Sequence, residues 1–287
     1  MGSAVVVTGA TGPVGRQVVA GLRDGGAEVR AVTRRPDAAH AAESVEFVSA
    51  QAPFVELLEG ARAALINATA LGAGESTADP EARLTELLAA ARTHGVGHLV
   101  LLSSASAADP ESPIGAGYRP LEDRLGRFDG AVTILRSVLF MSNTAHWWSA
   151  GIRQARAASA PYADVAVAPI DERDVAAAVT GALLRGPAAA AGEYLLTGPA
   201  LLTPRELVAT IADVLDIDIA FEDLPPETVR GRLVGAGLPA RAVDGLLRSF
   251  EYARSAPVAP SPAVRRFTGW PAGTYAQWVA DHLALFR

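Results

Sequence analysis

The run Thr8-Gly9-Ala10-Thr11-Gly12-Pro13-Val14-Gly15 is the segment of this chain whose residue types and spacing speak most directly of chemistry. It follows a short β-branched stretch at residues 4–8 and leads into a helical pattern from Gln17 to Leu22. Glycine meets three needs at such a junction: a tight turn, backbone amides that approach a pyrophosphate, and close packing of helix on strand. At the first strand-to-helix turn of a chain, this pattern predicts a dinucleotide site contributed by Gly9, Thr11, Gly12, Pro13, Val14 and Gly15. About 20 residues further on, an acidic side chain would take the ribose diol of NAD and an arginine the extra phosphate of NADP. The second strand-like run ends Thr33-Arg34-Arg35-Pro36 without a carboxylate. The spacing therefore predicts NADP(H), read by Arg34 and Arg35 through a fixed charge and paired donors.

Composition removes several other chemistries. All 25 basic residues among the 287 are arginines, so no Schiff base, phosphate-loop lysine or Tyr-Lys dyad can form. Cysteine is absent as well, which excludes thiolate nucleophiles, disulfides and cysteine metal sites. The 31 acidic residues give a net charge of -6, and the arginines are scattered, so nucleic acid is not an expected partner. No apolar run reaches the roughly 18 residues needed to span a bilayer, and no signal-peptide pattern opens the chain. The expectation is a cytoplasmic protein that does not engage membrane. His40, His94, His98 and His282 have no metal-ligand spacing, and no metal is expected. Nothing in the sequence specifies an oligomeric state.

The elements that must position the glycine run alternate strand and helix. Strands are expected near residues 4–8, 28–33, 45–49, 63–67, 98–103 and 132–136, separated by patterns such as Leu84, Leu87, Leu88 and Ala91 at helical spacing. This order predicts an α/β fold, a Rossmann-type doubly wound parallel sheet with right-handed crossovers. Beyond Asn143 the sequence becomes helix-rich, with strand candidates only near 165–169, 193–197 and 218–222. Thr203, Pro204 and Glu206 spell a helix start with a capping residue, a proline at the first position and a glutamate three after the cap. The expected organisation is an NAD(P)-binding domain over 1–143, to which segments near 165–200 return, and a smaller helix-rich C-terminal substrate lobe over most of 144–287. Asp171 and Asp174 read as the cap and first-turn acids of a helix.

With the fingerprint in place, the whole chain resembles the atypical short-chain dehydrogenase/reductases, in their NmrA-like branch. The resemblance runs through Thr8–Gly12, Leu102-Ser103-Ser104-Ala105, Leu121-Glu122, Thr133–Arg136, Phe140–Asn143, Ile170–Val175 and Leu196–Pro199. It implies that substrate meets the nicotinamide in a crevice between the sheet and the lobe. It further implies that Asn67, Ala68, Thr69, Ser103 and Arg136 contact the cofactor or hold the loop over it. Ser104 stands where the family places a substrate-binding hydroxyl. Tyr118 is the tyrosine near the expected proton-donor helix, but Glu122 stands four residues on, where the main branch has lysine. Arg119 stands at the lysine position of many NmrA-like members, and its permanent charge cannot relay a proton. Ser104, Tyr118 and Arg119 are thus the catalytic candidates, and Phe140, Met141, His146 and Trp147 the candidates for an apolar substrate wall. The resulting expectation is an NADPH-dependent reductase for an apolar carbonyl, enone or quinone. An NADP(H)-sensing regulator without turnover, and a non-redox isomerase or cyclase, stay open beside it.

Overall fold

The computed structural model describes residues 3–36, 44–71 and 79–287. His40 lies outside them. Seven parallel strands form the main sheet in the order β3-β2-β1-β4-β5-β6-β8. They are β1 (Ala4–Thr8), β2 (Val29–Thr33), β3 (Val45–Ser49), β4 (Ala61–Asn67), β5 (His98–Ser104), β6 (Ala131–Ser137) and β8 (Gly192–Leu196). The doubly wound α/β expectation is met, and β8 joins the sheet after a long excursion of the chain.

The alternating faces of β1 show why these strands are apolar throughout. Val5 and Val7 face one core with α1 (Gly15–Asp24), α6 (Glu172–Arg185) and α11 (Ala263–Thr268). Val6 faces the other, with α2 (Phe54–Leu57), α3 (Pro80–His94) and α4 (Arg119–Leu125). A strand covered on both faces has no polar side to alternate with. Helix α3 opens at Asp79, whose carboxylate accepts from the amides of Glu81 and Ala82, with Pro80 in the first turn, and closes on left-handed Gly95.

A third core lies beyond β6. Here α5 (Ser142–Ala155), α8 (Pro204–Leu215) and α12 (Tyr275–Asp281) enclose Met141, Trp148, Ile211, Trp278 and Phe286. A two-stranded parallel sheet, β7 (Ala157–Ala160) with β9 (Ala220–Asp223), flanks it. The predicted capping box at Thr203 and Glu206 is formed. Asp171 caps α6 as expected, and Asp174 accepts from the Gly273 amide at 2.7 Å. The strand expected near 165–169 is reduced to bridges, Val167 with Leu202 and Ile170 with Phe140. The short α7 (Pro187–Ala190) leads into β8, while α9 (Pro226–Gly235) and α10 (Ala240–Ser255) form a helical hairpin between β9 and α11. Among the described residues no helix is long and apolar enough to cross a membrane.

Candidate active site

The strand order reverses between β1 and β4, so a crevice opens at their carboxyl ends, where an open parallel sheet takes its ligands. The Thr8 hydroxyl ties the two strands there, donating to the Leu65 carbonyl at 3.0 Å and accepting from the Asn67 amide at 2.8 Å. The glycine run fills one side of this crevice. Gly9 takes φ +68°, a left-handed conformation that a side chain would strain. A Cβ on Gly15 would overlap the Gly9 carbonyl oxygen, so only glycine lets α1 start this close to the turn. Helix α1 has no side-chain cap; the Arg16 and Gln17 amides turn back to the Gly12 and Val14 carbonyls, while the Val14 and Gly15 amides have no partner among the described residues and are open to an anion.

Thr11 reaches across to the end of β2, where its hydroxyl lies 3.1 Å from that of Thr33. Beyond Thr33, Arg34 and Arg35 are exposed and have no ion-pair partner among the described residues. Asn67 closes the opposite side, its side-chain oxygen accepting from the amide and hydroxyl of Thr69. Ala68 is buried at the start of the 3₁₀ turn Ala68–Leu71. A dinucleotide fits this arrangement on three counts: the glycine-only approach, the uncapped helix and the unpaired guanidinium groups.

Beside the crevice, at the ends of β5 and β6, lies a cavity of about 680 Å³. Ser104, Tyr118, Phe140, His146 and Trp147 all line it, together with Asn143. Helix α10 roofs it with Val243, Leu246, Ser249 and Phe250. The Ser104 hydroxyl accepts from the Ser106 amide at 3.2 Å, leaving its O–H free to donate into the cavity. His146 Nδ1 lies 3.0 Å from the Ser142 carbonyl, which fixes the proton on that nitrogen and leaves Nε2 as the free one. Burial holds the Tyr118 phenol above its ordinary range. Glu122 is not the cause, because its carboxylate faces the other way.

Four sequence expectations are corrected by side-chain placement. Glu122 is buried between α4, β5 and β6, where it accepts from Ser103 Oγ at 2.6 Å and from Arg136 at 2.9 and 2.6 Å. The Ser103 hydroxyl and the Arg136 guanidinium, both expected at the cofactor, are thereby committed to the protein. Arg136 also meets Glu193 on β8 at 3.1 Å. Its bonds to Glu122 hold it firmly protonated. Arg119 donates to the carbonyls of Asp109 and Pro110 at 2.6 and 2.9 Å and does not line the cavity, so it pins a loop and makes no contact with Tyr118 chemistry. Met141 is buried in the lobe core behind Phe140.

Sequence reading missed the roof and the pair that fastens it. Asp109, which lines the cavity and is 2% exposed, accepts from Arg248 of α10 at 2.7 and 3.0 Å. Those bonds hold its carboxyl below the usual range. Gly245 of α10 sits so close to Ile114 that a side chain there would collide with it. The only hint in the sequence is the helical spacing of Arg248 and Glu251.

Fold and site together define a Rossmann-type protein with a helix-rich C-terminal lobe, and the chain belongs to a family of NAD(P)H-binding reductases. Residues 9–136 match the family described as NAD(P)H-binding. Over 292 residues the chain is 35% identical to the (4-alkanoyl-5-oxo-2,5-dihydrofuran-3-yl)methyl phosphate reductase of Streptomyces griseus, covering 98% of this chain and 99% of that one. Its fold is similar to that of the NADPH-dependent quinone oxidoreductase of Escherichia coli in complex with NADPH, with a TM-score of 0.82, 21% identity and coverage of 98% and 99%. The negative transcriptional regulator NmrA is also similar, at a TM-score of 0.72 and 19% identity, covering 98% of this chain and 95% of that one.

Proposed function

We propose that this protein is an NADP-dependent oxidoreductase that reduces an apolar enone or quinone with NADPH. The observation that carries the reading is the cavity beside the dinucleotide crevice: its walls are mainly apolar, hydroxyl groups of Ser104 and Tyr118 border it, and the chain contains no lysine. The activity named for the Streptomyces griseus relative, on a dihydrofuranone bearing an alkanoyl group, supports it. In that compound the ring alkene is conjugated with carbonyl groups, which makes it strongly polarised.

NADPH, when bound, supplies the hydride. Gly9, Thr11, Gly12, Pro13, Val14 and Gly15 would hold its pyrophosphate, Arg34 and Arg35 its extra phosphate, and residues 67–69 the side of the crevice towards β4. The chain's own part in the reaction is to exclude water with Phe140, Trp147 and the α10 roof, and to donate to the acceptor oxygen. The Ser104 O–H is directed to that task, and preorganised donors in a dry site favour developing negative charge. Tyr118 is the proton source closest to hand, but burial opposes its ionisation. A quinone or conjugated enone, which needs less acid assistance than a simple ketone, suits such a site.

The test is a paired fluorescence titration with NADPH and NADH on the protein and on Arg34→Ala, followed by acceptor assays that follow NADPH consumption. The reading expects NADPH to bind more tightly than NADH, the difference to shrink in the variant, and quinones or enones to be consumed. Failure to bind either nucleotide would overturn it.

A further inference from the structure

The charges around the cavity limit what its occupant can carry. Asp109 is the carboxylate lining it and is already matched by Arg248, and His146, with Nδ1 on the Ser142 carbonyl, is the one basic side chain among the described lining residues. Arg248 in turn faces Glu111 at 2.8 Å and Glu251 at 3.8 Å, so three carboxylates share this guanidinium and it has no charge to spare for a ligand. The other arginines of α10 are committed elsewhere: Arg241 donates to the Pro113 carbonyl at 3.1 Å, and Arg254 lies over the Tyr162 ring, 6.0 Å from its centroid. Arg119 is tied to the carbonyls of Asp109 and Pro110. No lysine or arginine lines the cavity among the described residues.

From this arrangement we infer that the acceptor is uncharged, and that the cavity discriminates against the same molecule once it carries a phosphate or carboxylate. The inference rests on the reading of the cavity as the acceptor site. An anion moved from water into apolar walls must find a compensating cation, and here it would meet Asp109, whose guanidinium partner is already engaged. The relative from Streptomyces griseus is named for a methyl phosphate substrate. On this inference the two proteins share a ring-and-acyl acceptor but differ at the charged end. The reaction that supplies the acceptor to this chain must then leave it without a phosphate, either because none was added or because a hydrolytic step has removed it.

The probes are a hexanoyl-substituted dihydrofuranone alcohol and its phosphate monoester. Each is assayed for NADPH-dependent reduction and for binding by calorimetry in the presence of NADP⁺. The alcohol is expected to exceed the ester by at least roughly a hundredfold in kcat/KM, with a matching difference in affinity. Leu246→Arg, which puts a cation into the roof, should narrow that ratio from the phosphate side. Equal use of the two, or preference for the ester, overturns the inference and leaves the reductase reading standing. Binding of the alcohol over the ester without reduction of either supports the selectivity and counts against the reductase reading for these acceptors. If neither furanone binds, the inference falls, while turnover of a quinone would still uphold the reductase reading.

Discussion

The two sides of the cleft are built by opposite means. The nucleotide side is centred on backbone from one continuous segment, residues 9–15, flanked by Arg34, Arg35 and residues 67–69, and its shape depends on the side chains that Gly9 and Gly15 lack. The acceptor side is made of side chains from β5, β6, α5 and α10, far apart in the chain and fastened by ion pairs. The first arrangement suits a ligand of constant chemistry. In the second, walls can change without disturbing the turn that binds the cofactor, which is how one family comes to serve many acceptors.

Substitutions can separate the two sides. Gly15→Val should have the largest effect, because the new side chain must displace the Gly9 carbonyl: NADPH affinity should fall by about 100-fold or more. Calorimetry with an acceptor analogue should show the cavity still binding, and equal damage to both would refute the separation. Glu122→Ala strikes the acceptor side from beneath by leaving Arg136 without its main partner, and should cost about 2–3 kcal/mol in denaturant unfolding. An unchanged midpoint would show that the pair contributes nothing.

A third test reaches the end of the sheet remote from both sites. His98 is buried at the start of β5, with Nε2 2.8 Å from the Thr133 hydroxyl, and desolvation, aided by the Arg62 charge, lowers its pKa to about 4. The unfolded chain takes up this proton first, near the ordinary value of about 6.5. Stability is therefore complete above that value and declines as pH falls towards the folded value, by about 2 kcal/mol between pH 7 and pH 5. Thermal unfolding of His98→Gln should lose this part of the slope, and parallel pH profiles would exclude the assignment.

Smaller effects sharpen the contrast. Arg34→Ala should weaken NADPH by about tenfold and leave NADH unchanged in the same titration, since only the extra phosphate is read there. Arg248→Met keeps much of the side-chain volume of the roof but frees Asp109. It should raise KM for the acceptor several-fold while nucleotide affinity stays constant, whereas a shift in nucleotide affinity would count against a role confined to the acceptor side.

This division also explains what could be read from the sequence. Recognition by consecutive backbone groups leaves a local signature, so the glycine run, the absent carboxylate after β2 and the both-face apolar strands were legible. Contacts between distant segments leave none. Arg136 stands at a strand end in the expected position, yet only the fold reveals that Glu122 and Glu193 converge on it. Phe140 and Met141 are adjacent and equally apolar, but the chain turns between them, one towards the cavity and the other into the lobe core. Strand β7 escaped notice because Ala-Ala-Ser-Ala lacks β-branched residues, and pairing with β9 outweighs that weak preference.

The return of β8 to the edge of the main sheet has a consequence for how the molecule can move and be altered. After β6 the chain leaves for the lobe, comes back through α6 and β8, departs again for α8 to α10, and returns once more with α11 before ending beside α8. The halves are laced together by several strands of chain, so no single linker acts as a hinge and no single cut releases either half with its core complete. Exchanging the acceptor specificity of this protein for another's is thus a matter of replacing separate patches, such as the α9–α10 hairpin, within an otherwise continuous weave.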